Sequence, residues 1–458
     1  MPDYDGHVPR VLAPLVCALV ALVLCVTPPY RAASQDTSPG FLGAPVLACQ
    51  GNQDLAHMPV VVAQVQRNGL PYWVTVTPDG HGLVSTFGPA PAWLARAAFI
   101  GVRPGDTLDT TRMQLRTRWA SGAAIGLAAA LLCLAALAWT RVAVAVAAGV
   151  VAACSFAGAP VLGQDPWQQT AALPALMGAL AAVAWTERSR VAAVVAPALA
   201  LLAVAIRPAD APLSLGLLAA WATLLPRADR AGVRRDVALA ALAAAILVSP
   251  LIVWNLVHVG TPWPRGQWVS NSAAHAGVFE LSPKWIAGAF AGLLVSPGRG
   301  LLFFAPVALV GIGTAFRARA RALLALGIVL QILFCASFFR WTGGVSFGPR
   351  LLAGAAWIAI GLAAASFDEL GLRARVAVIG AASITALVGL LGCYAFDLRQ
   401  WEFGNKLEEH PERAWQLADS AWTHLFTRVP EPPPSKAPAA KVVFCPDGPS
   451  GRWAVDVR

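Results

Sequence analysis

Eleven apolar runs set the pattern of this chain. They fall at about 11–29, 119–139, 142–162, 170–186, 191–206, 211–225, 237–257, 301–316, 322–339, 351–366 and 376–394. A helix of ~20 apolar residues crosses the hydrocarbon core of a bilayer. The pattern therefore predicts an all-α polytopic membrane protein with about 11 transmembrane helices, several of them short. Pro208 and Pro212 interrupt 191–206 and 211–225, so this pair reads as a hairpin that dips in and returns. The stretch 284–295 is too short to span and reads as an interfacial helix. Polar sequence leaves a long first loop at 30–118, further loops at 258–283 and 340–350, and a tail at 395–458. The expected organisation is one transmembrane domain, 1–394, followed by that tail. The tail holds a Pro-rich spacer, EPPPSKAPAA, and an end segment, KVVFCPDGPSGRWAVDVR, able to pair as strands. The alanine-rich helices resemble one another in composition only, and no internal repeat is evident.

Composition narrows the class further. Hydrophobic residues make up 57% and charged residues 13%, against ~45–50% and ~25% in ordinary soluble domains. A soluble enzyme, a disordered chain and a nucleic-acid-binding domain are excluded on that ground. The formal net charge of +10 comes almost wholly from arginine, because lysine occurs only at 284, 406, 436 and 441. Arg141; Arg188 and Arg190; Arg227, Arg230, Arg234 and Arg235; Arg317, Arg319 and Arg321; and Arg373 and Arg375 occupy alternate loops. Short basic loops stay in the cytoplasm. Residues 11–29 then read as a retained first helix with a cytoplasmic N-terminus. The long first loop, the other outer loops and the tail lie on the opposite side.

Six cysteines, at 17, 25, 133, 154, 335 and 393, sit in apolar runs and read as packing residues. Cys49 and Cys445 lie in polar segments on the outer side. They either pair in an oxidising compartment or remain two thiols.

Polar chemistry is confined to the loops and helix ends, where all 24 acidic residues lie. Ion-coupled transporters keep carboxylates at mid-membrane depth, so the pattern speaks against transport and directs attention to a membrane surface. The outer surface is unusually rich in guanidinium: Arg207, Arg265, Arg299, Arg340 and Arg350. Arg299 lies in SPGRG and Arg350 in GGVSFGPR, each just ahead of a predicted helix. A single such arginine reads most simply as snorkelling to headgroups. The two together, beside Gly-Pro turns, point to an anionic, phosphate-bearing ligand, because helix N-termini and the Arg fork both suit phosphate.

Asp54 follows a Gly-Asn-Gln turn in the first loop. It is either a general base for an incoming hydroxyl or a helix N-cap. Asp165, in GQDPWQQT, is either a functional carboxylate or a cap with Pro166 at the first helical position. His57 and His81 share the first loop with Asp54, yet no HxxxH or CxxC spacing appears. A dedicated metal site is not indicated; a loosely held Mg²⁺ or Mn²⁺ on Asp54 or Asp165, bridging to phosphate, stays open. No P-loop, dinucleotide fingerprint or GxSxG is present.

Four segments carry a family resemblance: GNQDLAHMPVVVAQ with Asp54, LVSTFGPAPAWLARAAF, LLVSPGRGLLFFAPVAL and FRWTGGVSFGPRLLAGAAW. NLVHVGTPWPRG at 255–266 adds a fifth. Together the chain resembles the GT-C membrane glycosyltransferases, particularly bacterial relatives of the dolichyl-phosphate-mannose protein mannosyltransferases. The likeness covers roughly 10–394 and is most specific at SPGRG and GGVSFGPR. It departs from the family pattern at LAHMP after Asp54 and at Phe339-Arg340 before Trp341.

The resemblance implies a GT-C helical bundle in the bacterial inner membrane, with its active site facing the periplasm. It implies a polyprenyl-phosphate-linked sugar donor and a glycan, lipid or protein acceptor. Asp54 would be the catalytic base, and Arg299 and Arg350 would bind the donor phosphate. Asp165, His57, Trp341, Arg340 and Arg265 would be substrate-binding candidates, Trp341 by stacking on sugar or prenyl. Two other readings remain beside it: an O-antigen ligase or polymerase using a pyrophosphate donor, and a lipid or solute transporter.

Overall fold

The computed structural model describes residues 7–28, 37–103, 105–225, 230–264, 279–344, 346–395, 401, 407, 409–424, 441–443 and 455–456. Every predicted apolar run contains helix, although that of the 142–162 run ends at Cys154 and gives way to turns. α1 is His7–Val26, α5 Thr110–Leu137, α6 Val142–Cys154, α7 Gln168–Trp185, α8 Arg190–Ile206, α9 Ala211–Leu224 and α10 Arg230–Val259. The run at 301–316 is broken into α12, Leu301–Phe304, and α13, Pro306–Thr314, at the proline. α14 is Arg319–Ala336, α15 Ala353–Ser366 and α16 Leu372–Tyr394. Five helices among the described residues are long and apolar enough to cross a membrane by length and composition. This is a multi-pass, helical membrane protein. The short stretch at 284–295 forms α11, Pro283–Val295. α8 and α9 make a helical hairpin closed by the turn Pro208–Asp210.

Small residues let the helices approach closely, as the alanine-rich composition requires in lipid. A Cβ added at Gly389 on α16 would stand 1.5 Å from the Cys154 carbonyl oxygen at the end of α6. One at Gly311 on α13 would stand 1.9 Å from that of Ala359 on α15. The atoms met are backbone and cannot rotate away. Gly389→Ala is therefore expected to destabilise by about 1–3 kcal/mol or more, read as a lower thermal midpoint. Gly380→Ala, where nothing lies within 4 Å, is the control and should leave the midpoint unmoved.

The two ends of the bundle differ in their chemistry. At one end, ion pairs lace the basic loops together: Arg141 to Asp368 at 3.5 Å, Arg190 to Asp236 at 2.6 Å and Arg321 to Glu369 at 2.7 Å. This is the end the arginine pattern assigns to the cytoplasm. At the other end the first loop folds over the bundle as α2, Ser38–Gln50, α3, Pro59–Asn68, and α4, Ala90–Arg96, with a hairpin of β1, Val74–Val76, and β2, Leu83–Ser85. These elements share a small core of their own, including Phe41, Leu55, Met58, Trp73 and Met113.

The predicted pairing of the end segment is present. β4, Lys441–Val443, pairs antiparallel with β5, Val455–Asp456. A third strand, β3, Thr107–Asp109, comes from the first loop and pairs with β4, so the tail is fastened to that loop. Cys49 is disulfide-bonded. Cys445, the other cysteine of a polar segment, lies outside the described residues. The six cysteines of the apolar runs are buried and form no disulfide.

Candidate functional site

Asp54 stands where α2 has ended and a short helical turn, Leu55–His57, begins. It is the N-cap of that turn, so the capping alternative is realised. Its Oδ1 accepts from the backbone N–H of Ala56 at 2.9 Å and from that of Leu83, across in the β-hairpin, also at 2.9 Å. The second bond is long-range and fixes the carboxylate between two elements, which capping alone does not require. The 77–82 turn of the hairpin is itself knotted by Thr77 and Asp79. Thr77 Oγ1 donates to Asp79 at 2.5 Å, and the Gly82 N–H donates to Thr77 Oγ1 at 2.8 Å. The Thr77 hydroxyl and the His81 N–H hold the Asp79 carboxyl below its ordinary range. That turn lies against the last turn of α10. A Cβ on Gly260 would stand 3.5 Å from Pro78, and His258, its ring tilted against that of Trp254 at 4.9 Å, is within electrostatic range of Asp54 and Asp79.

Arg299 is wholly enclosed, with 0% exposure. Its Nε donates to the Thr342 carbonyl at 2.7 Å, Nη2 to Gly344 at 2.9 Å and Nη1 to Gly298 at 3.0 Å. Its guanidinium also lies over the Trp401 ring at 5.2 Å. As it stands, Arg299 ties the SPGRG turn to the 342–344 turn. The tail closes over the same place. The Gly298 N–H donates to the Ala414 carbonyl at 2.9 Å, and Trp422 Nε1 donates to that of Pro297 at 3.2 Å. Arg413 grips Asp419 through two bonds, at 2.6 and 2.9 Å, and Asp419 in turn accepts from Trp401. No local motif announces this bracing, because the tail carries no family motif and its partners lie more than a hundred residues upstream.

Arg350 is 4% exposed. Its Nε donates to the Gly343 carbonyl, and its guanidinium lies 4.4 Å over the Trp167 ring. The turn it closes contains Gly343, Gly344 and Gly348, all left-handed with φ of 77°, 69° and 77°, a geometry open to glycine and strained for most other residues.

Asp165 lies two residues before Trp167. It does not cap α7: the N-cap position is Trp167, and no side chain caps there. The helix starts two residues later than the Pro166 signal indicated, which carries Asp165 inward. It is 3% exposed, and its Oδ1 has no hydrogen-bond partner among the described residues. Burial pushes its carboxyl well above the usual carboxylate range, with Arg118 opposing. Arg118, which sequence inspection overlooked, is itself buried and donates to the carbonyls of Cys25 at 2.7 Å and Pro28 at 2.8 Å.

A raised acid pKa gives a definite sign. The folded state holds the Asp165 proton more tightly, so its contribution to stability is present below the unfolded pKa of about 3.9 and is lost as pH rises toward the folded value. Asp165→Asn removes this dependence. Its thermal midpoint relative to wild type should climb between about pH 4 and neutrality, and a parallel pair of pH profiles would refute the assignment.

A line of contacts runs between these groups across the outer end of the bundle. Gln53, beside Asp54, donates to the Pro89 carbonyl at 3.4 Å. Gln168, beside Trp167, donates to the carbonyls of Phe87 at 3.1 Å and Ile206 at 2.8 Å. Trp167 carries Arg350, and Arg350 and Arg299 grip the same 342–344 turn. The remaining candidates fare unequally. Trp341 is buried, and a Cβ on Gly292 of α11 would stand 2.5 Å from its ring, so it packs against that helix in place of facing outward. Arg340 is half-buried beside Phe339, which stacks on Trp285 at 6.0 Å. The side chain of His57 and the whole of Arg265 lie outside the described residues. Among the described residues no three His, Cys, Asp or Glu side chains gather as a metal site. Among the described residues, the groups seen to face Asp54 are the backbone amides of Ala56 and Leu83, which donate to it and do not ligate a metal.

No family model matches this chain, and no curated protein matches it. Solved structures do. ArnT from Cupriavidus metallidurans, bound to undecaprenyl phosphate, aligns at 13% identity over 83% of this chain and 75% of that one, with a TM-score of 0.49. The oligosaccharyltransferase AglB from Archaeoglobus fulgidus, in complex with an inhibitory peptide and a dolichol-phosphate, aligns at 15% identity over 89% and 59%, with a TM-score of 0.43. At these values the likeness assigns neither family nor activity.

Proposed function

We propose that this protein is a GT-C type glycosyltransferase that moves a sugar from a polyprenyl-phosphate donor to an acceptor hydroxyl at the outer face of a bacterial inner membrane. The observation that supports the reading is that one anchored carboxylate and two buried arginines all belong to loops on the side opposite the ion-paired basic loops. Asp54, with Oδ1 held by two backbone N–H groups, takes the acceptor proton at Oδ2 as the hydroxyl attacks the anomeric carbon. The sugar–phosphate bond breaks as the new glycosidic bond forms, and the phosphate leaves on its lipid with the added negative charge. Arg350 receives that charge, which grows on the leaving group and is best met by a fixed donor. Arg299 is assigned as a positioning residue that keeps the 342–344 turn, and hence Arg350, in place. No step requires ATP, in keeping with the absence of nucleotide motifs from the chain.

The test is transfer itself. Full-length protein in nanodiscs is given a polyprenyl-phosphate sugar labelled in the sugar, together with an envelope glycan and lipid extract. Label passing to the extract supports the proposal. Label that moves only from a pyrophosphate-linked donor favours the ligase reading, and label carried across a vesicle membrane without transfer favours a transporter.

A further inference from the structure

The outer turn of α10 carries a polar group that neither capping, packing nor the scheme above explains. Asn255 is 1% exposed, and neither its Oδ1 nor its Nδ2 has a hydrogen-bond partner among the described residues. An amide enclosed without partners loses its water bonds and regains nothing. Such a group persists where something outside the chain completes it. Its position is informative. Leu251, one turn earlier on the same face, packs with Ala90, Ala172, Ala205 and Ile206, so this face looks into the junction of α4, α7 and α8. Asn255 Oδ1 lies 3.7 Å from where a Cβ on Gly88 would stand. Gly88 has φ of 76° and leads directly to Pro89, whose carbonyl holds Gln53, the neighbour of Asp54. One turn later on α10, His258 is within electrostatic range of Asp54.

We propose that Asn255 is a recognition residue for a carbohydrate hydroxyl bound beside Asp54. The amide offers both a donor and an acceptor, which is what a sugar hydroxyl takes when it must accept one hydrogen bond and donate another. The hydroxyl belongs either to the donor sugar or to a glycan acceptor. The inference rests on the glycosyltransferase reading for its ligand class, while the unpartnered amide stands independently of it.

Three probes separate the possibilities on full-length protein in nanodiscs: undecaprenyl phosphate, undecaprenyl-phosphate-glucose and soluble methyl α-D-mannopyranoside. Asn255→Ala should bind undecaprenyl phosphate as wild type does, and should bind at least one of the two sugar probes about tenfold more weakly, the size of one lost hydrogen bond. Weakening of the lipid-linked sugar alone places the hydroxyl on the donor; weakening of the soluble glycoside alone places it on the acceptor. Asn255→Leu, of similar bulk, supplies the structural control. A higher thermal midpoint with sugar binding intact in either variant means that the amide is only a tolerated packing defect, and the proposal falls. Wild type and Asn255→Ala behaving alike toward both sugar probes, by equal binding or equal failure to bind, also overturns it. Failure of wild type to bind undecaprenyl phosphate is a separate result that counts against the glycosyltransferase reading.

Discussion

Asparagine at position 54 is expected to lower sugar transfer by roughly 10²–10⁴-fold, the range of a lost general base, with the fold intact. The substitution discriminates well because Asp54 does two jobs through one carboxylate. Its Oδ1 accepts from Ala56 and Leu83, and the asparagine carbonyl can accept both bonds unchanged. What asparagine cannot do is take a proton from an incoming hydroxyl. Asp54→Ala would confuse the two roles, since losing the cap and the link to the hairpin costs about 1 kcal/mol or more. The measurement is initial transfer rate for wild type and Asp54→Asn at matched thermal midpoint. Near-normal transfer in the folded variant would leave Asp54 a capping residue only.

The two arginines should separate in opposite directions. Arg299→Met is expected to destabilise by about 3 kcal/mol or more. Its guanidinium satisfies three carbonyls in a site with no exposure, and each buried acceptor left without a donor costs about 1–3 kcal/mol. Lysine, a point charge without the planar fork, should not restore it. Arg350→Lys is expected to keep most of its stability but to bind undecaprenyl phosphate about tenfold more weakly, because one bidentate, charge-assisted contact is lost. Thermal midpoints and binding isotherms for both variants read the two effects separately. If Arg299→Met were as stable as wild type, the clamp seen in the structure would carry no weight. If Arg350→Lys bound phosphate undiminished, the anion would have to sit elsewhere.

Much of this protein could be read before it was folded, and the boundary follows from range. Apolar runs specify helices through local physics, and each of the eleven contains helix, although five among the described residues are long and apolar enough to cross a membrane; the alternate basic loops meet in ion pairs at one end. Proline still moved details: Pro306 divides one run into two helices, and α7 begins past Pro166, so Asp165 is buried and does not cap. The failures concern partners distant in sequence. SPGRG and GGVSFGPR both drew attention as anion-binding turns, but nothing local showed that Arg299 would be enclosed between them and covered by Trp401. Trp341 is buried beside Gly292 of α11, a contact distant in sequence that no local motif announces. Asn255 belongs to the segment NLVHVGTPWPRG, yet the absence of partners for its amide among the described residues is a property of the fold and has no signature in the chain.

The central claim is that the arginine-bearing outer end of the bundle holds a lipid-linked phosphate, and the most direct measurement is native mass spectrometry of the full-length protein released from nanodiscs containing undecaprenyl phosphate. Wild type and Asp54→Asn should each retain one undecaprenyl phosphate, while Arg350→Gln should lose it. Equal retention by Arg350→Gln, or no retention by folded wild type, would contradict the account.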